Sequence, residues 1–183
     1  GLFAISKQLK RYGIPFSYIE NCHIEDKAFD EGLKKFLSVV CMLKNFNKLK
    51  IVQVGTRVKP FKSVMINEME LVEKFGIDVV PINMAEALDK LNRIYNEKFE
   101  QLKAEAEEVK KKIDTSSISD ELLVKMMAFV HFYKELDEEN KSSIISTECW
   151  TSMLLGFGAM PCLSMSLLAD MGLYVLCESD IYG

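Results

Sequence analysis

Glu148 stands immediately before a run, Cys149 to Ala169, that carries no charged side chain, and Glu178 and Asp180 follow beyond it. Carboxylates at the rims of an otherwise dry segment cost free energy unless something compensates them. A hard divalent ion would do so, and so would a paired base. Each acid also has a structural reading. With Ser146 or Thr147 as N-cap, Glu148 is a first-turn acid favouring the helix dipole, and Glu178 is a strand-end carboxylate beside a base.

The remaining reactive residues form no familiar pattern. Cys22, Cys41, Cys149, Cys162 and Cys177 contain no Cys-x-x-Cys pair, and an odd number in apolar surroundings points to reduced thiols in a cytoplasmic protein. A zinc site from Cys149, Cys162, Cys177 and His131 matches no zinc spacing. His23 near a helix start and His131 on an apolar helical face read as structural. Gly156-x-Gly158 has Pro161 where a dinucleotide fingerprint needs its third glycine, and it follows a helix instead of a strand. The net charge of −4 gives no electrostatic reason to expect nucleic acid. The uncharged block is long enough to test as a membrane span. Gly156, Gly158 and Pro161 argue instead for two buried helices, Glu148 to Gly156 and Cys162 to Met171, so no membrane is expected.

The elements that must position these acids follow from periodicity. Leu2, Phe3, Ile5 and Leu9 recur at helical spacing before Gly13, and Asp26 to Phe46 is a second, longer helix. Ile14–Ile19 is short, apolar and aromatic, predicting a strand. Leu49–Val54, Ile77–Ile82 and Leu173–Cys177 are further strands, and Val64–Phe75 is a helix closing at Gly76. Strands alternating with helices predict an α/β fold, an open parallel sheet with helices on both faces (Rossmann/flavodoxin-like). Residues 1–183 are expected to form one such domain. Residues 84–140 interrupt it as a helical insertion: a charge-rich helix with Leu88, Tyr95, Leu102 and Val109 at heptad spacing, then a helix opening at Ser119. That spacing permits a coiled coil as well as a surface helix.

In such a sheet, ligands bind beyond the carboxyl ends of the strands. Leu49–Val54 leads into Gly55-Thr56-Arg57-Val58-Lys59, and Leu173–Cys177 leads into Glu178-Ser179-Asp180. A basic loop facing an acidic one suits a polar, oxygen-rich ligand. Arg57, Trp150 and Asp180 are the candidate substrate contacts.

The opening Leu2-Phe-Ala-Ile-Ser-Lys7 and two longer runs resemble the L-fucose isomerase and L-arabinose isomerase superfamily. One begins at Glu148-Cys-Trp, passes Gly156-Phe-Gly158 and Met160-Pro-Cys162, and ends at Cys177-Glu178-Ser-Asp180-Ile-Tyr-Gly. The other holds Val54-Gly-Thr-Arg57, Phe61, Val64, Asn67-Glu68, Glu70-Leu71 and Phe75-Gly76. The resemblance implies the central domain of a sugar ketol-isomerase acting on a pentose or deoxyhexose. It implies a manganese ion, or another divalent cation such as magnesium or cobalt, held by Glu148, Glu178 and a histidine from a later domain. Asp180 is the substitute for Glu178. It also implies that these two acids shuttle the proton between C1 and C2.

The start at Gly1 and the stop at Gly183 predict a piece of a longer parent, with the family's N-terminal domain before Gly1. The piece alone is then expected to be inactive and the full-length parent a homo-oligomer. Two rival readings are a sugar-binding or regulatory module of the same fold without catalysis, and an interaction domain using the helix from Leu88 to Ile113.

Overall fold

A computed structural model describes residues 1–183 and divides them into two compact units, Gly1–Asn45 and Phe46–Gly183. This departs from the single domain expected over 1–183.

The first unit is built on α1 (Leu2–Arg11) and α2 (Lys27–Phe46, one residue past the boundary). Both follow the helical spacing of their apolar residues. Neither contains a fully buried side chain, and Phe3, Phe36, Leu37 and Leu43 are among the large apolar residues left exposed. The strand expected at Ile14–Ile19 does not form. The segment is apolar enough, but no neighbouring strand supplies a ladder for its backbone groups.

The second unit is a four-stranded parallel sheet in the order β2-β1-β3-β4. Its strands are β1 (Lys50–Val54), β2 (Asp78–Ile82), β3 (Ile144–Thr147) and β4 (Val175–Cys177). β1 alternates in the way a doubly covered strand must. Val52 and Val54 enter the larger core, while Ile51 points to the other face with Leu71 and Ile77. β2 lies at the edge, the position where Pro81 costs no ladder hydrogen bond. β3 was not foreseen; it lies between β1 and β4, in register with both.

On the Ile51 face sits α3 (Glu68–Phe75), capped by the Asn67 side chain, which accepts from the Glu70 N–H. The other face is covered by α4 (Met84–Glu97), α5 (Phe99–Lys110), α6 (Asp120–Asn140), α7 (Leu154–Phe157) and α8 (Cys162–Asp170). The expected continuous helix from Met84 to Ile113 is broken at Lys98, so its heptad does not extend as one stripe. Leu91, Ile94, Leu102 and Ala106 are buried against the same core.

α6 is that core's central helix. Its run Leu122-Leu-Val-Lys-Met-Met-Ala-Phe-Val-His-Phe-Tyr133 is apolar on almost every side, and Leu123, Ala128, Phe129, Phe132 and Tyr133 are fully buried. Its start is as read: Ser119 caps it by accepting from the Leu122 N–H. The uncharged block bends by 110° between Cys149–Phe157 and Cys162–Asp170. No single helix is long and apolar enough to cross a membrane.

Candidate metal and sugar site

Parallel pairing of β3 with β4 sets Thr147 opposite Cys177. The next residue on each strand is an acid, so Glu148 and Glu178 leave the carboxyl ends of neighbouring strands. Backbone bonds hold both ends: Glu148 N–H donates to Val54 O (2.9 Å) and Ser179 N–H to Thr147 O (3.1 Å).

Glu148 is nearly buried, 9% exposed, and each of its carboxylate oxygens has a donor. Oε2 accepts from the Thr56 N–H at 3.0 Å with the Thr56 hydroxyl at 3.5 Å, and Oε1 accepts from the Ser152 hydroxyl. The approach requires Gly55. Its φ is +77°, and a Cβ there would lie 2.8 Å from Glu148 Oε2 and 2.6 Å from Met84 Cε.

Glu178 is held differently. Cys177 to Asp180 form a tight turn closed by Asp180 N–H to Cys177 O (3.2 Å), with Glu178 and Ser179 both at φ 58°. Two successive non-glycine residues in the left-handed region cost about 1–2 kcal/mol each, a strain that clusters at functional sites. The turn is anchored by the buried Ser179, whose hydroxyl donates to Thr56 O at 3.3 Å. Glu178 Oε1 accepts from the Cys149 thiol at 3.1 Å, while Oε2 is buried and has no hydrogen-bond partner. Cys149 and Cys177 bring their sulfurs to 3.4 Å. Burial first, then hydrogen bonds to Glu178 and Cys177, push the Cys149 thiol far above its ordinary range, so it is a protonated donor. A buried carboxylate oxygen without a donor is the kind of atom a cation satisfies.

Between the β1 loop and the segment after β3 lies a pocket of about 400 Å³, lined by Thr56, Arg57, Lys59, Glu148, Trp150 and Thr151 among others. Its floor is irregular. The helix expected from Glu148 instead kinks, with Trp150 at φ −76°, ψ 138° and Thr151 at φ 72°, ψ −71°. That placement is costly for a β-branched residue. It turns Trp150 onto Phe61, ring centroids 5.5 Å apart and planes 27° from parallel.

The expected residues are therefore sorted by place. Arg57, Trp150 and Glu148 line the pocket, whereas Glu178 and Asp180 sit on the adjoining β4 turn. Arg57 Nη1 donates to the carbonyls of Val58, Lys59 and Phe61, shaping the loop it belongs to. Asp180 Oδ1 accepts from the Gly183 N–H at 3.0 Å. His131 pairs with Glu105 at 2.9 Å between α6 and α5, and His23 lies in the first unit.

Sequence reasoning missed Thr56 and Ser152 as partners of Glu148, Ser179 as the anchor of the Glu178 turn, and the Cys149–Cys177–Glu178 cluster. The Glu148/Ser152 spacing of four is the one signal that was available. The cluster's members come from two strand ends, and no motif spacing announces them.

Residues 1–47 match the family model described as fucose/sulfoquinovose isomerase, N-terminal domain. The chain is similar to proteins named sulfoquinovose isomerase. That of Priestia aryabhattai is 26% identical over 178 residues, covering 97% of this chain and 39% of the relative. That of Alkalicoccus urumqiensis is 24% identical over 178 residues, with the same coverage. That of Clostridium sp. (strain MSTE9) is 24% identical over 162 residues, 87% of this chain and 35% of the relative. The chain thus spans about two fifths of the length of the curated relatives it matches. These matches support the resemblance to the L-fucose isomerase superfamily. They correct one expectation: N-terminal-domain sequence lies within residues 1–47 instead of wholly before Gly1, and its limit falls beside the boundary between the two units.

Proposed function

We propose that the protein carrying this chain is a divalent-metal-dependent aldose–ketose isomerase, with Glu148 and Glu178 supplying two of the ligands. The observation that carries the reading is the buried, unpartnered Oε2 of Glu178, one strand away from the Glu148 carboxylate and beside a sugar-sized pocket. Manganese, magnesium or cobalt suits such oxygen donors. When bound, the ion would polarise the sugar carbonyl and neutralise charge on its oxygens.

The two acids divide the work according to their partners. Glu148, held at both oxygens by Thr56 and Ser152, is the fixed member that orients the site. Glu178 has no donor fixing Oε2, so its carboxylate is the more mobile of the two, and it is the acid assigned to the proton transfer between C1 and C2. The protonated Cys149 thiol steadies its other oxygen. Trp150, stacked on Phe61, offers an apolar wall. Arg57 and Lys59 make the mouth positive, which suits a sugar bearing an anionic group, and the relatives' name adds sulfoquinovose to L-fucose and L-arabinose as candidates. Five free cysteines accord with a cytoplasmic parent, and homo-oligomeric assembly belongs to the same reading.

The test is to incubate the full-length protein and Mn2+ with each of the three sugars and follow ketose formation. Turnover of one of them, abolished in Glu178→Gln, is expected. A protein that binds a sugar without turning any over is instead a sugar-binding module.

A further inference from the structure

Two thiols meet the second carboxylate where β3 and β4 end, and the isomerase reading uses only the Cys149 thiol, as a donor to Glu178. Cys149 is the second residue after β3 and Cys177 closes β4; their sulfurs are 3.4 Å apart. Cys149 Sγ is 3.1 Å from Glu178 Oε1, and one donor atom from each of the three residues lies within 4.8 Å of the others. The second carboxylate oxygen is buried and unpartnered. A third sulfur, Met165 Sδ, is 4.0 Å from Cys177 Sγ.

We propose that Cys149, Cys177 and Glu178 form a binding site for a borderline-soft divalent cation of the zinc class, sharing Glu178 with the hard-ion site. Two sulfurs and one carboxylate are a zinc ligand set, and three protein ligands leave the fourth tetrahedral position for water. At zinc–sulfur and zinc–oxygen bonds of about 2.3 and 2.1 Å, tetrahedral geometry separates the two sulfurs by about 3.8 Å and sulfur from oxygen by about 3.6 Å. The observed 3.4 and 3.1 Å ask the cluster to open by a few tenths of an ångström. Each thiol releases its proton to solvent on binding, so two thiolates and one carboxylate face the divalent charge. Soft sulfur selects this ion against manganese or magnesium, which prefer oxygen.

The site itself stands on the geometry alone. Its consequence rests on the isomerase reading: zinc held on Glu178 Oε1 fixes the carboxylate and sets a second divalent charge beside the hard-ion site, so zinc inhibits manganese-dependent turnover.

The experiment titrates the reduced full-length protein with Cd2+ under anaerobic conditions, in the presence of excess Mn2+, and follows thiolate-to-cadmium charge-transfer absorption. Saturation at one equivalent is expected. The signal should be lost in Cys149→Ser with Cys177→Ser and kept in Cys162→Ser. No absorption, or absorption unchanged in the double variant, overturns the proposal. A second measurement needs no variant: peptide mapping after iodoacetamide with and without Zn2+. Zinc should slow alkylation of Cys177 by about tenfold or more, since a metal-bound thiolate is no longer a free nucleophile, and leave the exposed Cys41 and Cys162 unchanged. Equal rates at Cys177 with and without zinc overturn the site. A protein that gives the cadmium signal but isomerises no sugar keeps this site and loses the isomerase reading; the opposite pair of results does the reverse.

Discussion

Replacing Gly55 by alanine tests how closely the sheet and the acid are built around each other. Two costs add. Gly55 has φ +77°, and forcing a Cβ into that region costs about 1 kcal/mol. The new Cβ would also stand 2.6 Å from Met84 Cε, 2.8 Å from Glu148 Oε2 and 3.0 Å from Glu148 Cβ. Met84 is flexible and can yield. Glu148 is held by Thr56 and Ser152, so overpacking adds about 1–3 kcal/mol. The sum is about 2–4 kcal/mol, a large part of a typical domain's stability. With a urea slope near 2 kcal/mol/M, the unfolding midpoint should fall by about 1–2 M. Gly172→Ala is the control, because it has φ +84° with nothing within 4 Å of the added Cβ. It should show the backbone cost alone. Equal midpoint losses in the two variants would refute the argument that Glu148 fills the space above Gly55.

Glu135 sits among Lys98 at 2.9 Å, Lys90 at 3.7 Å and Arg93 at 4.0 Å. Partial burial alone would raise its carboxyl; the Lys98 hydrogen bond and the three positive charges outweigh burial and hold it below the ordinary value of 4.5. A depressed folded-state value stabilises above the unfolded one, and the gain disappears as pH falls through the folded value. Glu135→Gln should therefore cost about 1 kcal/mol at pH 7, with the gap to wild type closing in urea titrations below pH 4.5. A gap that does not narrow as pH falls below 4.5 would contradict this. Tyr133, fully buried, has its hydroxyl pushed upward by desolvation and donates to Thr147 Oγ1 at 3.2 Å. Tyr133→Phe should lose about 1 kcal/mol of stability, read from the same urea curves, while an unchanged midpoint would show that the bond contributes nothing.

What could be read from the sequence follows a physical line. β1 was visible because Ile51, Val52 and Val54 form a β-branched run ending at Gly55, and α6 because its cap and its apolar residues agree. β3 was invisible because only Ile144 and Ile145 in Ser142–Thr147 are apolar; it is a strand because β1 and β4 pair with it on both sides. Ile14–Ile19 fails for the converse reason, strand-like composition with no partner. The kink at Trp150 and Thr151 has no local signal, because nothing in the residue types forbids a helix there. Glu148 and Glu178 were legible as acids at the rims of a dry block. That they leave neighbouring strands follows from the β3–β4 register, which no periodicity contains. The meeting of Cys149 with Cys177 is a further product of the same pairing.

The most direct test of the central claim is Mn2+ binding, followed by electron paramagnetic resonance, in the full-length protein beside Glu148→Gln and Glu178→Gln. One tight site is predicted in the wild type, weakened by about tenfold or more in each variant while both stay folded, as loss of a charged ligand implies. Unchanged manganese affinity in both variants would contradict the account, because the ion would then be held by other residues.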